Sequence, residues 1–485
     1  MKQMNIYEEA NRCLLCLDAP CTKACRTGDP ARAIRAIRFD NHKPALRWVA
    51  NCSDEDLDSA EKACIHYNWP IRIKDMLRSI NHDDVPDDSY PPLDIDFCGI
   101  HCENPFFLAS SAVCTNYEMV ARAFDAGWAG VFYKTICLQE IKEVSPRFDA
   151  IHSNGTRGDF YGFRNMEQLS ENPVEMDLDI MKRLKQDYPT KVVVASIMGK
   201  TKEEWIKLAK MAEEAGVDAV ELNFSCPQMR ITGMGSDTGQ DPEMVLTDTR
   251  SVKNAVKIPV IPKMTPNITH IVQPALSGYL AGADAISAIN TIKSVTMETR
   301  SSVSGKFTIS GYSGRAVKPI ALRYILEIAQ NEEMKNIELS GVGGIETWRD
   351  ALEFIQLGCS NVQVCTAVMQ FGYRIIDDLI LGMKRYMKKR GVSKLKSLVG
   401  EKLATFASPS DLDRSTIVYP KIDFEKCVGC GRCEISCSDG GHQAIVFNHE
   451  TRQPRIVGSK CVGCHLCSLV CPAGAIGPAR RITKK

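Results

Sequence analysis

Two copies of one cysteine run stand near the C-terminus, Cys427-Cys430-Cys433-Cys437 and Cys461-Cys464-Cys467-Cys471-Pro472, each spaced C-x2-C-x2-C-x3-C. That spacing ligates [4Fe–4S] cubes, the fourth cysteine of each run crossing to the other cube. Cluster one therefore takes Cys427, Cys430, Cys433 and Cys471, and cluster two takes Cys461, Cys464, Cys467 and Cys437. A tight loop aims three thiolates at one cube, and a short helical step sends the fourth elsewhere. Gly429 and Gly463 are expected to relieve crowding where the backbone wraps a cluster. Zinc is the competing ligand, but a tetrahedral ion uses paired C-x2–4-C ligands and has no use for a doubled run of four.

The chain carries 21 cysteines, six within residues 13–64, seven within 98–365 and eight within 427–471. A secreted disulfide framework belongs to a short, core-poor chain; 485 residues with 44 % apolar content are neither. Dense clusters at both ends instead fit metal–sulfur ligation in a reducing, cytoplasmic setting. Near the N-terminus Cys13, Cys16, Cys21 and Cys25 again have ligand-like spacing, with Cys52 and Cys64 following. One further [4Fe–4S] cluster from Cys13, Cys16, Cys21 and one of Cys25, Cys52 or Cys64 is the preferred reading, with Cys25 as the nearest candidate. The alternative is a relic that binds nothing and serves as an interface. Sixty Lys+Arg against 59 Asp+Glu leave a net charge of +1, so no field recruits nucleic acid or an anionic membrane. Apolar runs fall short of a membrane span, and the start, MKQMNIYEEANRC, carries acids where a signal peptide needs an apolar core.

Three regions separate by composition. Residues 1–85 form a Cys- and charge-rich helical segment, with helices expected around Asp29–Arg38 and Lys43–Val49. VPDDSYPPLD (85–94) reads as a linker or entry loop. Residues 86–405 alternate short apolar runs with amphipathic segments, 406–420 read as a connector, and 421–485 as the cluster module. The runs are FFLASS (106–111), GVFYKT (130–135), KVVVASI (191–197), AVELNF (219–224), PVIPKM (259–264), AISAIN (285–290), IELSGV (337–342) and NVQVC (361–365). Thr201 and Glu204 frame a capping box opening a helix with Trp205, Leu208, Ala212 and Ala215 on one stripe, closed by Gly216. Eight nearly continuous apolar strands separated by helices predict an α/β fold, a (β/α)8 TIM barrel. An open doubly wound sheet is the alternative, but its G-x-G-x-x-G turn is missing after the first strand.

A barrel places its chemistry at the C-terminal strand ends. Strand two ends in Lys134 and Thr135, strand four in Glu221, Asn223, Ser225 and Cys226, strand five in Lys263, Thr265 and Asn267, and strand six in Asn290 and Thr291. Ser313 and Gly314 follow, then Gly343 and Gly344 after strand seven and Thr366 after strand eight. Bare backbone N–H groups and a hydroxyl are what a phosphate needs. A strand-end lysine favours the anionic N1–C2=O edge of a reduced isoalloxazine. Each residue alone also fits an ordinary salt-bridge partner; their joint placement reads as a flavin site.

ELNFSCP (221–227), GMG (233–235), GQDP (239–242), KMTPN (263–267), INT (289–291), GVGG (341–344) and QVCTAV (363–368) resemble the dihydropyrimidine dehydrogenase barrel, related to the class 1 dihydroorotate dehydrogenases. The double cysteine run with SDGGHQAI (438–445) is similar to the same family's C-terminal domain. The likeness covers nearly the whole chain and is looser before residue 85, where later cluster ligands of the family's larger enzyme are lacking. That enzyme's FAD- and nicotinamide-binding portion has no counterpart, so the chain looks like the catalytic subunit of the bacterial two-subunit, NAD-dependent form.

The resemblance implies FMN contacts from Lys134, Thr135, Asn223, Lys263, Gly314, Gly343, Gly344 and Thr366, and pyrimidine contacts from Asn165, Glu167, Asn223, Asn290 and Thr291. Cys226 falls on the family's catalytic cysteine. It implies an oxidoreductase that reversibly reduces the 5,6 double bond of uracil or thymine, with flavin hydride to C6 and a Cys226 proton to C5. Electrons would come from NAD(P)H through a partner flavoprotein bearing FAD, then through the clusters, in a homodimer or heterotetramer. The residues agree: a thiol with a reference pKa of about 8.5 is mostly protonated at neutral pH and can donate that proton. The plainer reading, a small buried hydrophobe, suits Cys359; Cys226 differs by sitting just past a strand end. Glu167 suits N–H groups and is hostile to the carboxylate of orotate, unless it is a surface acid on a loop. Gln228, where dihydroorotate dehydrogenases continue Cys-Pro with Asn, favours a neutral pyrimidine too. Dihydroorotate oxidation is the near alternative, and a non-catalytic electron-transfer subunit the distant one.

Overall fold

The computed structural model describes residues 5–66, 68–80, 89–154, 157–227, 234–295 and 308–484. The first half of the expected 85–94 linker, the 85/86 boundary, Gln228 and Gly233 lie outside them, while residues 89–94 lack regular structure. The chain divides into two compact units, one within residues 4–404 and one within 405–485. Among the described residues no helix is long and apolar enough to cross a membrane.

The larger unit is built on eight parallel strands: β1 (Phe106–Leu108), β2 (Gly130–Phe132), β3 (Val192–Ile197), β4 (Ala219–Asn223), β5 (Val260–Met264), β6 (Ala285–Ala288), β7 (Glu338–Val342) and β8 (Cys359–Val364). Each pairs with the next in chain order, and β8 returns to β1 with Val362 opposite Phe106, so the sheet closes into a barrel. Seven strands fall within their apolar runs, and β8 starts two residues before its run, at Cys359. Their continuous burial is what a sheet covered on both sides demands: β3 and β8 have no exposed residue. A helix follows each strand, as right-handed crossovers require. Lys202–Glu214 buries Trp205, Leu208, Ala209 and Ala212 and is capped by Thr201, whose side chain accepts from the Glu204 N–H. Only half of the expected capping box forms: the Glu204 carboxylate accepts from Lys200 N and the Gln139 amide instead.

Two long loops depart from a bare barrel. Phe148–Asn154 and Arg157–Asn165 follow β2, while Ile292–Ser294 and Ser310–Ser313 follow β6. They join as one antiparallel four-stranded sheet, Tyr312 lying opposite Arg164. Gly162 makes the join feasible, because a Cβ there would stand 2.0 Å from the Tyr312 ring. No alternation of apolar and polar residues marked these loop strands beforehand.

The N-terminal helices, among them Pro30–Arg38 and Asp54–Lys62, have their own core of Ala33, Ile34, Ile37, Leu57, Met76 and Leu77. They seat on the last barrel helix, Ile376–Arg390, through polar groups. Arg35 donates to the fully buried Asp378 at 2.7 Å, and the Asn41 amide donates to the Asp378 carbonyl at 2.8 Å. Burial pushes the Asp378 carboxyl up to about 6, with Arg35 opposing the rise.

The smaller unit pairs β9 (Thr416–Ile422) with β12 (Ile476–Thr483), and β10 (Ile445–Asn448) with β11 (Gln453–Ile456). Its first strand thus begins inside the stretch 406–420 expected to be a connector. Pro420 hides that strand from sequence, since a proline inside a run reads against it. In the structure Pro420 faces Pro478 beside a register shift, where neither is asked to donate.

Replacing Arg35 with Ala leaves a buried carboxylate unpaired and should cost about 3–5 kcal/mol of stability at pH 8. The loss should shrink at pH 5, where burial keeps Asp378 protonated without a cation. Chemical denaturation of R35A at the two pH values checks this.

Candidate functional site

At the C-terminal ends of the barrel strands lies a cavity, where a barrel of this kind places its chemistry. The thirteen barrel residues assigned to flavin, pyrimidine or proton transfer line it: Lys134, Thr135, Asn165, Glu167, Asn223, Cys226, Lys263, Asn290, Thr291, Gly314, Gly343, Gly344 and Thr366, whereas Glu221, Ser225, Thr265 and Asn267, also quoted at strand ends, do not. They arrive from different places in the chain, and only the barrel brings them together.

The cavity floor is organised by a carboxylate. Glu221, at 0 % exposure, accepts from Ser196 Oγ at 2.9 Å, and its other oxygen stands 3.5 Å from Lys263 Nζ. Ser196 spends its only proton on Glu221, so the Thr135 hydroxyl 2.9 Å away must donate to Ser196. Thr135 therefore accepts from Asn223 Nδ2 at 2.9 Å and from Ser110 Oγ at 3.0 Å. That fixes the Asn223 carboxamide: its Oδ1 accepts from the Ser225 hydroxyl at 2.8 Å, and Ser225 accepts from Asn290 Nδ2 at 2.9 Å. One donor direction runs from Asn290 to Glu221. Sequence reasoning picked Asn290, Asn223 and Thr135 from this chain and missed Ser196 and the role of Glu221, although Glu221 stood in the quoted strand end.

Lys134 and Lys263 are 4 % and 3 % exposed, so both cations need anions near them. Glu167 Oε1 lies 3.2 Å from Lys134 Nζ and 3.6 Å from Arg147. Glu167 is therefore a held, inward acid, not a surface acid on a loop. Part of its charge is offset by these cations, which weakens its expected hostility to a second anion. Asn165, from the loop sheet, also lines the cavity. Cys226 is 5 % exposed, and its carbonyl accepts from Ser236 N at 3.0 Å.

The opposite side suits a phosphate. Ser313 Oγ and Thr366 Oγ1 lie 3.0 Å apart, beside Gly314, Gly343 and Gly344. The three glycines have φ of +98°, +132° and +76°. At Gly344 a Cβ would stand 2.7 Å from Lys318 N and 2.9 Å from the Gly314 carbonyl. Backbone N–H groups, two hydroxyls and two buried lysines within one cavity match the donor set a flavin mononucleotide requires.

In the smaller unit, Cys437, Cys461, Cys464 and Cys467, the four thiols assigned to cluster two, line one common cavity. Cys433, Cys437 and Cys467 are buried, with Cys461 and Cys471 packed against them. Burial raises the Cys433 thiol, and the neighbouring Cys430 and Cys427 thiols raise it further, as in the assignment of cluster one. Backbone N–H groups of Ala444 and Ala475 donate to Cys437 Sγ at 3.3 Å and Cys471 Sγ at 3.2 Å. Such donors stabilise cluster thiolates and tune their potential. Gly429 and Gly463 have φ of +65° and +69°, and a Cβ would meet the Arg452 or Val418 carbonyl at 2.7 or 2.6 Å. Their freedom serves the close approach of the turn at Arg452 and of the strand at Val418. Among the described residues no three His, Cys, Asp or Glu side chains converge as on a single ion; a cube holds its thiolates farther apart.

The N-terminal thiols divide in a way spacing did not reveal. Burial pushes Cys21 up to about 11, and Cys13, Cys64 and Cys16 add to that rise. Cys13 in turn is raised by burial and by Cys16 and Cys64. By their mutual influence Cys13, Cys16, Cys21 and Cys64 form a four-thiol group, and Cys25 is not among the neighbours that most affect Cys13 or Cys21. Cys25 faces Cys52 instead.

With barrel, cavity and thiol groups in place, comparison with known proteins is direct. A dihydroorotate dehydrogenase family model matches residues 92–387 and a 4Fe-4S dicluster domain model matches 420–477. The chain belongs to the dihydroorotate dehydrogenase family, and with it to the dihydropyrimidine dehydrogenases. It is 50 % identical over 368 residues to the NAD-dependent dihydropyrimidine dehydrogenase subunit PreA of Escherichia coli K12, a match covering 75 % of this chain and 89 % of that one. Against the chloroplastic dihydropyrimidine dehydrogenase (NADP(+)) of Arabidopsis thaliana, identity is 39 % over 341 residues, covering 67 % of this chain and 80 % of the relative. The catalytic subunit of dihydroorotate dehydrogenase B (NAD(+)) from Pyrococcus abyssi is 38 % identical over 312 residues, or 64 % and 98 % of the two chains.

Gly344→Ala should destabilise the barrel by about 1–2 kcal/mol from the left-handed conformation alone. The Cβ clash with Lys318 N adds to that and should weaken flavin retention. Flavin-to-protein absorbance after gel filtration, read beside a melting curve, checks the expectation.

Proposed function

We propose that the chain is the catalytic subunit of a dihydropyrimidine dehydrogenase, reducing the 5,6 double bond of uracil or thymine reversibly. Electrons would come from NAD(P)H through a partner flavoprotein bearing FAD, then through [4Fe–4S] clusters. The convergence of thirteen strand-end and loop residues on one cavity carries this reading, with Cys226 beside Asn223 and Asn290. The 50 % identity to a protein named as a dihydropyrimidine dehydrogenase subunit supports it further. Metal–thiolate chemistry supports a cytoplasmic setting.

FMN is the cofactor proposed for the cavity, with Gly314, Gly343, Gly344 and Thr366 at its phosphate and Lys134, Thr135, Asn223 and Lys263 at its ring. Bound there, it supplies the hydride that C6 of the pyrimidine receives. The chain's own residues do the rest. Asn223 and Asn290, locked by the donor chain ending at Glu221, present fixed carboxamides to the carbonyls and N–H groups of a planar base. Asn165, Glu167 and Thr291 complete the rim, Glu167 accepting from ring N–H. The Cys226 thiol gives its proton to C5, and the walls keep water from competing for that position.

The clusters proposed are two in residues 427–471 and one at Cys13, Cys16, Cys21 and Cys64. Cys64→Ser should remove one cluster's share of the iron, while Cys25→Ser should leave the total unchanged. Iron and acid-labile sulfide per chain check this.

Cys226→Ala should retain flavin and lose about 10²–10⁴-fold in pyrimidine turnover, the usual worth of a positioned general acid. Unchanged turnover would favour a relay subunit without chemistry of its own. Steady-state rates with uracil, thymine and dihydroorotate decide the substrate; preference for dihydroorotate would reject the reading.

A further inference from the structure

Outside the active site and the four-thiol group, one pair of thiols has no role assigned. Cys25 ends the helix Pro20–Ala24, Cys52 stands just before the Ser53 cap of Asp54–Lys62, and their sulfurs are 3.3 Å apart. The two are 7 % and 5 % exposed. Space for the pair is built into the backbone: at Gly28 a Cβ would stand 2.4 Å from Cys52 Sγ, so no larger residue leaves the sulfur where it is. The neighbours acting on Cys52 are Cys25, Thr27 and Asp56, whereas those acting on Cys21 are Cys13, Cys64 and Cys16. The six N-terminal thiols thus fall into a group of four and a group of two. Both matched family models begin after this segment, the first at residue 92.

We propose that Cys25 and Cys52 form a redox-active dithiol, closing to a disulfide under peroxide and reopening under thiol reductants. Two thiols cannot by themselves complete a tetrahedral ion or a cube, each of which takes four ligands. They can complete a disulfide, because the gap from 3.3 Å to the bonded length of about 2.05 Å is within side-chain rotation. One thiol attacks hydrogen peroxide, breaking its O–O bond to give a sulfenic acid and one water. The second thiol then displaces the sulfenic oxygen as a second water and forms the S–S bond. Two thiols give up two electrons and two protons; the peroxide takes both. Both thiols are shielded and burial pushes Cys52 up to about 11, so closure is slow and calls for a small oxidant; intracellular disulfides are typically of the transient kind.

Closure has a structural consequence. The bond would tie the helix carrying Cys21 to the helix that leads into Cys64, two members of the four-thiol group. The dithiol would act as a clamp on that group when oxidants threaten it.

The test uses the full chain, purified anaerobically and treated with a few equivalents of hydrogen peroxide. Free thiols are then alkylated under denaturing conditions, and the protein is digested with trypsin. The expected product links residues 24–26 to residues 48–62 through Cys25 and Cys52, and it disappears when dithiothreitol precedes alkylation. Recovery of both cysteines alkylated, or of either one bonded to another cysteine, overturns the proposal. Iron supplies the second readout. C25A/C52A should keep its full iron content, and a loss of iron there would make the pair cluster ligands and reject the dithiol. Gly28→Ala, which displaces the Cys52 sulfur without removing it, should lower the yield of the linked peptide several-fold.

Discussion

The active-site cavity depends on one buried charge. Glu221 is wholly removed from water, and a lone carboxylate in that position would cost several kcal/mol. Two things hold it there: the Ser196 hydroxyl and the Lys263 ammonium. Because a carboxylate can only accept, it sets the sense of every hydrogen bond reached through Ser196 and Thr135. An amide that could otherwise turn either way is thereby given one orientation, and Asn290, two residues' side chains further on, inherits it. Lys263 benefits in return, since its charge can face the cavity without standing unpaired among apolar strands.

The cluster unit solves a different problem with the same economy of backbone. Its two cysteine runs repeat not only ligands but conformations: Gly429 matches Gly463, and Gly431 matches His465, all at positive φ. His465 adopts this backbone despite its side chain, and its ring bonds the Val418 carbonyl at 2.8 Å. On the other copy Arg452 bonds the Gly429 carbonyl at 2.7 Å. One loop is therefore fastened to a strand at Val418 and the other to the turn at Arg452, which keeps the thiols in place.

The barrel was readable because its strands are buried on both faces, so composition alone marks them. Strand-end residues were readable for a related reason: a polar side chain directly after such a run has nowhere to point but the mouth of the barrel. Spacing is informative where thiols are neighbours in the chain, as in residues 427–471. It is silent where they are not. Nothing in the distance from Cys21 to Cys64 distinguishes it from Cys25 or Cys52; only packing of the intervening helices does. The loop sheet was invisible because its strands pair with each other across the barrel mouth, a match of partners rather than a property of either. Glu204 shows the same limit locally: its partner came from Gln139, far away in sequence, and not from its own helix cap.

That loop sheet has a consequence for how such a protein can change over generations. Segments after β2 and β6 are woven edge to edge, with Gly162 admitting the Tyr312 ring from the other segment. Loops on a barrel are usually free to lengthen or shorten independently. Here an insertion in one shifts the register of the other, and with it Asn165 and Thr291. Altered substrate choice would be expected to arise through paired changes in the two segments, inherited together.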